Sequence, residues 1–138
     1  MTRKEFSNTL VKCREQANCG KNELCRRTGF TFNQLQRLER SENNFSIDNV
    51  LIYLKAIEFG IYISKNNNTF LFDSKEAFSK NFKIYRKEAK MSLRAFSDFA
   101  GVSLSVVRGI EDASKNTTID SILLCIEKLN CKLEINKI

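Results

Sequence analysis

Few side chains in this 138-residue chain have the types and spacings that catalysis or metal binding needs. The sequence contains no His, which excludes His general bases, His-activated nucleophiles and His-containing metal sites. Its five Cys include no Cys-x-x-Cys pair, so buried free thiols are the simplest interpretation. Acidic pairs such as Glu111-Asp112 do not converge on one helix face, and no Gly-rich phosphate loop is present. We therefore expect no enzyme activity, no cofactor and no metal.

The charge balance permits an anionic partner such as nucleic acid, since 23 Lys and Arg against 16 Asp and Glu give a formal net charge of +7. Apolar residues make up 42%, which is enough for a core, and the absence of Pro favours helices. The N-terminal MTRKEFSNTL has no apolar signal region, and apolar runs such as ILLCI are too short to span a bilayer. We expect a soluble, cytoplasmic protein with no membrane partner.

Two stretches share one pattern, namely residues 28–42, TGFTFNQLQRLERSE, and residues 100–114, AGVSLSVVRGIEDAS. In each, Gly is followed by an apolar residue, a hydroxyl residue and an apolar-periodic run that contains Glu. The stretches lie 72 residues apart, and at this offset 12 of 66 aligned positions are identical without a gap. Chance would give roughly four identities. The chain is therefore interpreted as two copies of a unit of about 65 residues.

Each copy is predicted to contain four helices followed by a strand. The predicted helices cover residues 3–17, 21–28, 32–41 and 47–59 in the first copy, and residues 75–89, 93–100, 104–112 and 119–130 in the second. Gly29 is expected in a left-handed turn conformation. The expected N-caps are Thr31, Ser46, Ser92 and Thr118.

Alternating stretches at residues 61–63 and 133–135 predict strands, and residues 70–72 are expected to return as a third strand after a turn at SKNNNT. Because a lone strand leaves its edge groups unpaired, we expect these segments to join in one small antiparallel sheet between the copies. The expected organisation is a domain at residues 1–66, a hairpin or linker at residues 67–73 and a domain at residues 74–138.

An Arg lies 15 residues before the turn Gly and a Glu 10 residues after it in both copies, as Arg14–Gly29–Glu39 and Arg86–Gly101–Glu111. With this spacing the chain resembles the Cro/C1-repressor type (XRE) helix-turn-helix family over nearly its whole length, in tandem. The resemblance implies a mainly α fold of two tandem lambda-repressor-like helix-turn-helix domains, each with four to five helices. It also implies that the Arg and Glu of each copy form a partly buried ion pair between the first and third helices, with a structural role.

The strand after the fourth helix is similar to that of antitoxin-type members, in which a C-terminal strand joins two subunits. The two copies are therefore interpreted as an internal pseudo-dimer around a local two-fold axis. Whether the protein is monomeric or forms a homodimer stays open. Many members carry a Pro after the third helix, and its absence here leaves the path of that loop open.

The resemblance further implies that the N-terminal part of the third helix enters the major groove of DNA. Asn and Gln can pair with adenine, Arg with guanine, and an apolar ring can contact the thymine methyl. On this basis the base-reading residues predicted in the first copy are Thr31, Phe32, Asn33, Gln34 and Arg37. The alternative interpretation is an ordinary solvated helix face. The predicted phosphate contacts are Lys21, Asn22, Asn43, Asn44 and Ser46.

The second copy has fewer base-reading groups, with Leu104, Val106 and Gly109 in its third helix. Leu104 and Val106 are expected to be exposed if this helix faces water. Two interpretations stay open: a surface that meets a protein, or DNA contact with relaxed specificity. The weaker DNA contacts predicted in this copy are Arg94, Ser103, Ser105, Arg108, Lys115 and Asn116.

The leading hypothesis is a sequence-specific transcriptional regulator, a repressor, that binds double-stranded DNA. Because the copies differ, we expect an asymmetric site in which one half is read strictly and the other loosely. The alternative is a protein-interaction module, such as the antitoxin of a toxin–antitoxin pair. It would use the apolar third-helix face of the second copy against a toxin or another regulator.

Overall fold

The computed structural model describes residues 1–138, which form eight helices and one three-stranded sheet. The first five elements are α1 (Arg3–Gln16), α2 (Lys21–Thr28), α3 (Phe32–Arg40), α4 (Ile47–Ala56) and β1 (Phe59–Lys65). The next six are β2 (Asn68–Phe72), α5 (Lys75–Glu88), α6 (Leu93–Ala100), α7 (Leu104–Asp112), α8 (Ile119–Lys128) and β3 (Lys132–Lys137). The fold is therefore mainly helical, with a small antiparallel sheet.

The bounds of every helix in the second half, residues 74–138, equal those of its counterpart in the first half, residues 1–66, shifted by 72. The turns repeat in the same way, because left-handed φ values occur at equivalent positions. Gly29 and Gly101 have φ of 81° and 71°. Seven non-Gly residues have φ between 52° and 61°, and six of them form the equivalent pairs Asn18/Lys90, Ser41/Ala113 and Glu58/Asn130.

The prediction for the fourth helix of each half was too long. Helix α4 ends at Ala56 and α8 ends at Lys128, and strands β1 and β3 begin earlier than predicted. The left-handed backbone at Glu58 and Asn130 stops each helix and redirects the chain into the sheet. Neither residue is Gly, so the usual sequence signal for this stop is missing.

Three of the four predicted N-caps accept the expected hydrogen bond, namely Thr31, Ser46 and Ser92. The side chain of Thr118 makes no capping bond, although its backbone is extended as at the other caps. Ser74 and Ser103 cap α5 and α7 by accepting from the amides of Ala77 and Val106. Small hydroxyl side chains thus begin most of the helices.

The sheet has the order β2–β1–β3 with both pairings antiparallel, so β1 is the central strand. One face of β1 carries Phe59, Ile61 and Ile63, all buried, and the strand packs against α4. Strand β2 packs against α5, where Phe72 stacks on Phe78 with ring centroids 4.6 Å apart. The segment between the halves therefore contributes to the core of the second half.

Equivalent residues of the two halves pair with each other at two places. In the sheet, Tyr62 of β1 lies opposite Glu134 of β3, exactly 72 positions later. Before the fourth helices, Ser46 forms an antiparallel bridge with Thr118, again 72 positions later. A residue can pair with its own equivalent only on a two-fold axis, so a local two-fold axis passes through both contacts. The flanking amides bond reciprocally at 2.7 and 2.8 Å, from Ile47 to the Thr117 carbonyl and from Ile119 to the Phe45 carbonyl.

Two ion pairs follow the same two-fold relation across the contact between the halves. Arg3 Nε lies 3.7 Å from Asp120 Oδ1, and Lys75 Nζ lies 3.6 Å from Asp48 Oδ2. Arg3 and Lys75 are equivalent positions, as are Asp48 and Asp120. All four side chains are partly exposed, so each pair adds little stability but helps to set the orientation of the halves.

One continuous core of 30 buried apolar residues runs through both halves. In the second half it contains a row of aromatic rings, in which Phe78 stacks on Phe82 and Phe82 meets Phe96 edge-on. The positions equivalent to Phe82 and Phe96 carry Leu10 and Leu24, both fully buried. The two halves therefore fill the same positions with side chains of different size and shape.

Candidate nucleic-acid interface

The connection between α2 and α3 is fixed by local hydrogen bonds. The amide of Gly29, in the left-handed region, donates to the Cys25 carbonyl at 2.9 Å and ends α2. Thr31 begins α3, and the buried Leu24 and Leu35 bring the two helices together. The second half repeats this connection between α6 and α7, where Gly101 takes the same left-handed conformation. Each half therefore contains a helix, a tight turn and a second helix in fixed geometry.

The first turns of α3 present polar and aromatic side chains to solvent. Asn33 and Arg37 are exposed, and Phe32 is 46% exposed. Because Arg37 follows Asn33 by four residues and helical side chains lean toward the N-terminus, the two lie on the same face. Asn33 and Arg37 are thus the predicted base-reading residues best placed to bind a partner.

Two other predicted base-reading residues, Thr31 and Gln34, are exposed but engaged in a capping box. Thr31 Oγ1 accepts from the Gln34 amide at 3.1 Å, and Gln34 Oε1 accepts from the Thr31 amide at 2.8 Å. The side-chain NH₂ of Gln34 keeps its donors. Since Oε1 is already bonded, bidentate pairing of Gln34 with adenine would share or break the cap.

Lys21, predicted to contact phosphate, is partly buried at the start of α2. Its Nζ donates to Gln36 Oε1 at 3.0 Å and lies 5.9 Å from the centre of the Phe32 ring. These contacts join the first turn of α2 to α3 and hold Phe32 in place. Asn22, beside Lys21, is exposed.

The predicted phosphate contacts in the loop before α4 separate into two groups. Asn43 is exposed and lines the same shallow pocket as Gln34 and Arg37. Asn44 Oδ1 instead accepts from the amide of Asp120 in the other half at 3.2 Å. Ser46 is partly buried, caps α4 and forms the bridge on the two-fold axis. Only Asn43 of these three is free of the contact between the halves.

In the second half, several predicted contacts gather at the front of α7. Ser105, Arg108 and Lys115 are exposed and line one shallow pocket. Lys115 Nζ donates to Ser105 Oγ at 3.1 Å. The remaining residues lie apart from this pocket: Ser103 caps α7, Arg94 is exposed on α6 and Asn116 is exposed in the following loop.

The expectation that Leu104 and Val106 form an exposed apolar face is wrong. Both are partly buried, and Val106 packs against the core. The large apolar side chains that the second half exposes lie elsewhere, at Ile84 on α5, Phe99 on α6 and the terminal Ile138. Periodicity places Leu104 and Val106 on the outer side of α7, whereas in the structure Leu104 is partly buried and Val106 contacts the core.

The structure brings Arg14 and Glu39 together in a bidentate pair between α1 and α3. Arg14 Nε donates to Glu39 Oε2 at 2.7 Å and Nη2 donates to Oε1 at 3.2 Å. Arg86 and Glu111 form the same bidentate pair between α5 and α7. In both halves the remaining guanidinium nitrogen, Nη1, donates to a backbone carbonyl just after the helix. The acceptor is Cys19 for Arg14 and Met91 for Arg86. The four buried Arg and Glu residues therefore hold α3 to α1 and α7 to α5.

The first half adds a third member that sequence reasoning missed, Tyr53 on α4. Its hydroxyl donates to Glu39 Oε2 at 2.6 Å, within reach also of the Leu10 carbonyl. Burial, followed by the hydrogen bond to the Glu39 carboxylate, raises the pKa of Tyr53 far above its usual range. The equivalent residue is Cys125, which makes no such bond, and burial raises the pKa of its thiol to about 12.

Two more contributors went unrecognised. Gln36 holds Lys21, and the ion pairs of Asp48 and Asp120 join the halves. The ion pairs between the halves could have been predicted from the sequence, because both acids and both partner cations keep their charge at the offset of 72. Nothing in the sequence distinguishes Gln36 from an ordinary exposed polar residue.

No group of three or more Cys, Asp and Glu side chains lies close enough to hold a metal ion. All five Cys are free thiols. None of the helices combines the length and apolar character needed to cross a membrane.

A family model described as helix-turn-helix matches residues 82–136. The match runs from within α5 through α6, α7 and α8 into β3, and so it covers the helix–turn–helix of the second half. No curated protein and no solved structure matches the chain. The second half thus carries the recognised helix-turn-helix sequence pattern, although its α7 has fewer polar groups than α3.

Proposed function

We propose that this protein is a sequence-specific DNA-binding transcriptional regulator, a repressor of the XRE type. It contains two tandem helix-turn-helix domains, residues 1–66 and 74–138, joined by the hairpin at residues 67–73. The match of residues 82–136 to the helix-turn-helix family supports this class of function. The observation that carries the proposal is the pairing of Tyr62 with Glu134 and of Ser46 with Thr118. Two helix-turn-helix units related by a two-fold axis are the arrangement with which dimeric DNA-binding proteins read two half-sites.

In the first half, the front of α3 supplies three kinds of base contact. The Asn33 amide suits adenine, the Arg37 guanidinium suits O6 and N7 of guanine, and the exposed ring of Phe32 suits the thymine methyl. All three are exposed on the first turns of the helix, where recognition helices contact base edges.

Phosphate contacts come from the start of α2 and from the loop before α4. Asn22 and Asn43 are exposed, and Lys21 keeps two of its three ammonium donors beyond the bond to Gln36. The N-terminus of α2 adds backbone amides and the positive end of its dipole. Asn44 and Ser46 join the halves, and we assign them to orientation of the domains rather than to phosphate.

The operator of this regulator is asymmetric. The two halves share a framework but differ at the base-facing positions, since Phe32, Asn33 and Arg37 correspond to Leu104, Ser105 and Gly109. Half-sites about one helical turn of DNA apart, roughly 34 Å, fit a two-fold pair of such units. The first domain reads its half-site more strictly, through the side chains of α3.

The test is selection of bound sequences from a random double-stranded DNA pool with the full chain, followed by titration of the selected site. Arg37→Ala should weaken binding to the selected site by about 1–3 kcal/mol and relax the preference at one position. Asn33→Ala should do the same at another position. Lys55→Ala, an exposed cation at the end of α4, is the matched control and should keep affinity and preference. Unchanged affinity and preference in both α3 variants would refute the proposal.

The second candidate function is a protein-interaction module, such as an antitoxin with a toxin as partner. Leu104 and Val106 are half-buried and do not support this function. The observation that favours it is the exposure of Phe99 (50%) and Ile84 (44%) in the second half. Co-expression with the product of an adjacent reading frame tests it. A stable complex that Phe99→Ser disrupts and Leu104→Ser does not would favour this function, whereas the absence of a complex would leave DNA binding alone.

A further inference from the structure

The side chain of Lys115 lies across the outer face of α7, over Gly109. A Cβ atom added at Gly109 would lie 3.2 Å from Lys115 Cβ, 3.3 Å from its Cγ and 3.1 Å from its Cδ. Gly109 is buried for this reason, although the equivalent residue of the first half, Arg37, is exposed. The glycine thus makes room for the aliphatic stem of a lysine that comes from the following loop.

The ammonium group of Lys115 ends at the first turn of α7. Its Nζ donates to the hydroxyl of Ser105, the second residue of the helix, at 3.1 Å. Ser105 precedes Gly109 by four residues, so the stem runs one helical turn toward the N-terminus. A long side chain growing from position 109 itself would take the same path, because helical side chains lean toward the N-terminus. Lys115 therefore places a cation at the turn of α7 toward which a long side chain at position 109 would lean.

The two halves carry a reciprocal exchange at two equivalent positions. The first half has Arg37 on the helix and Asn43 in the loop, whereas the second has Gly109 on the helix and Lys115 in the loop. In each half the two residues line one shallow pocket at the front of the third helix. A larger side chain at position 109 would press on the Lys115 stem, so the glycine and the lysine depend on each other.

We propose that Lys115 is the base-reading residue of the second half and that it binds the O6 and N7 acceptors of a guanine in the major groove. This inference rests on the proposed function. Lys or Arg bonded to guanine is the commonest specific contact in the major groove. An ammonium is a point charge and lacks the planar, two-pronged donor group of Arg. Lys115 therefore constrains the position of its guanine less tightly than Arg37 does. Arg108, exposed beside the same pocket, supplies the neighbouring phosphate contact.

The test compares the full chain with Lys115→Met, which keeps the stem over Gly109 and removes the charge. In selection from a random DNA pool, the wild type should enrich one guanine in the second half-site, and the variant should lose that preference alone. Affinity for the selected site should fall about tenfold, and a site lacking that guanine should bind both proteins equally. Lys137→Met, an exposed lysine on β3, is the control and should change neither.

A double variant restores the arrangement of the first half. Gly109→Arg combined with Lys115→Asn should recover the guanine preference, because the cation returns to the same turn from the helix. Circular dichroism checks that each variant is folded.

Two results would overturn the inference while leaving DNA binding intact. One is an unchanged sequence preference in Lys115→Met. The other is an equal loss of affinity for all sequences with a salt dependence lower by about one phosphate, which would make Lys115 a phosphate contact. A wild type that enriches no sequence at all would refute the proposed function itself.

Discussion

The two halves of this molecule share a skeleton and differ at the surface that the skeleton presents. Helix bounds, left-handed turns and the buried Arg–Glu pair recur at an offset of 72. At the front of the third helix, Arg37 is replaced by Gly109 and Asn43 by Lys115. The comparison teaches that the outer face of the third helix can change while the buried framework is kept. A family match therefore reports on the framework and says little about what the outer face of the third helix binds.

The buried anchor differs as well, and this gives the largest expected effect. Removing Arg86 leaves Glu111 buried without a side-chain donor, whereas removing Arg14 leaves Glu39 bonded to Tyr53. We expect Arg86→Met to destabilise the fold by about 3–5 kcal/mol and Arg14→Met by less. Urea unfolding followed by circular dichroism measures both, with Arg40→Met as an exposed control. Equal losses in the two halves would show that Tyr53 does not support Glu39.

The second prediction concerns Tyr53 alone. Tyr53→Phe should cost about 1.5–3 kcal/mol, because it removes a hydrogen bond to a carboxylate. The pKa of Tyr53 in the folded state lies above its unfolded value of about 10, so its contribution is complete below pH 10 and is lost as the pH rises further. The variant should therefore lose stability less steeply above pH 10 than the wild type. Tyr62→Phe, on the outer face of the sheet, serves as the control, and parallel pH profiles for wild type and Tyr53→Phe would contradict the assignment.

The smallest expected effect lies at the ion pairs between the halves. Asp48→Asn and Asp120→Asn should each cost about 0.2–1 kcal/mol, because the side chains are partly exposed and screened by salt. Equal effects are expected, since the two pairs are related by the local two-fold axis. Urea unfolding at low and high salt measures these losses of stability. A loss that grows with added salt would exclude a charge effect.

Much of the framework could be predicted from the sequence. The offset of 72 and the periodic apolar positions predicted all eight helices, because packing of an amphipathic face determines helix formation. The ends of α4 and α8 were missed because Glu58 and Asn130 adopt left-handed φ without the glycine that usually marks it. The lengths of β1 and β3 depend on the pairing of these two strands with each other. This pairing joins distant parts of the chain, so local sequence patterns do not predict it.

The candidate site was less predictable, because side-chain engagement is a property of the folded chain. Residue type alone placed Gln34, Asn44 and Lys21 among potential DNA contacts, whereas all three already bond within the protein. The path of Lys115 over Gly109 joins residues from a helix and a loop, and neither residue suggests it by itself. Periodicity also misjudged Leu104, which lies on the outer side of a short helix but is partly covered.

The pairing of Tyr62 with Glu134 has a consequence for how this protein responds to its own abundance. Both partners of the contact belong to one polypeptide, so the two halves meet at an effective concentration set by the chain and not by the cell. A regulator built from two separate chains falls apart on dilution, and occupancy of its operator then varies with the square of its concentration. In this chain the contact between the halves survives dilution, so under the proposed function occupancy of the operator by a single chain is expected to vary with the first power of its concentration.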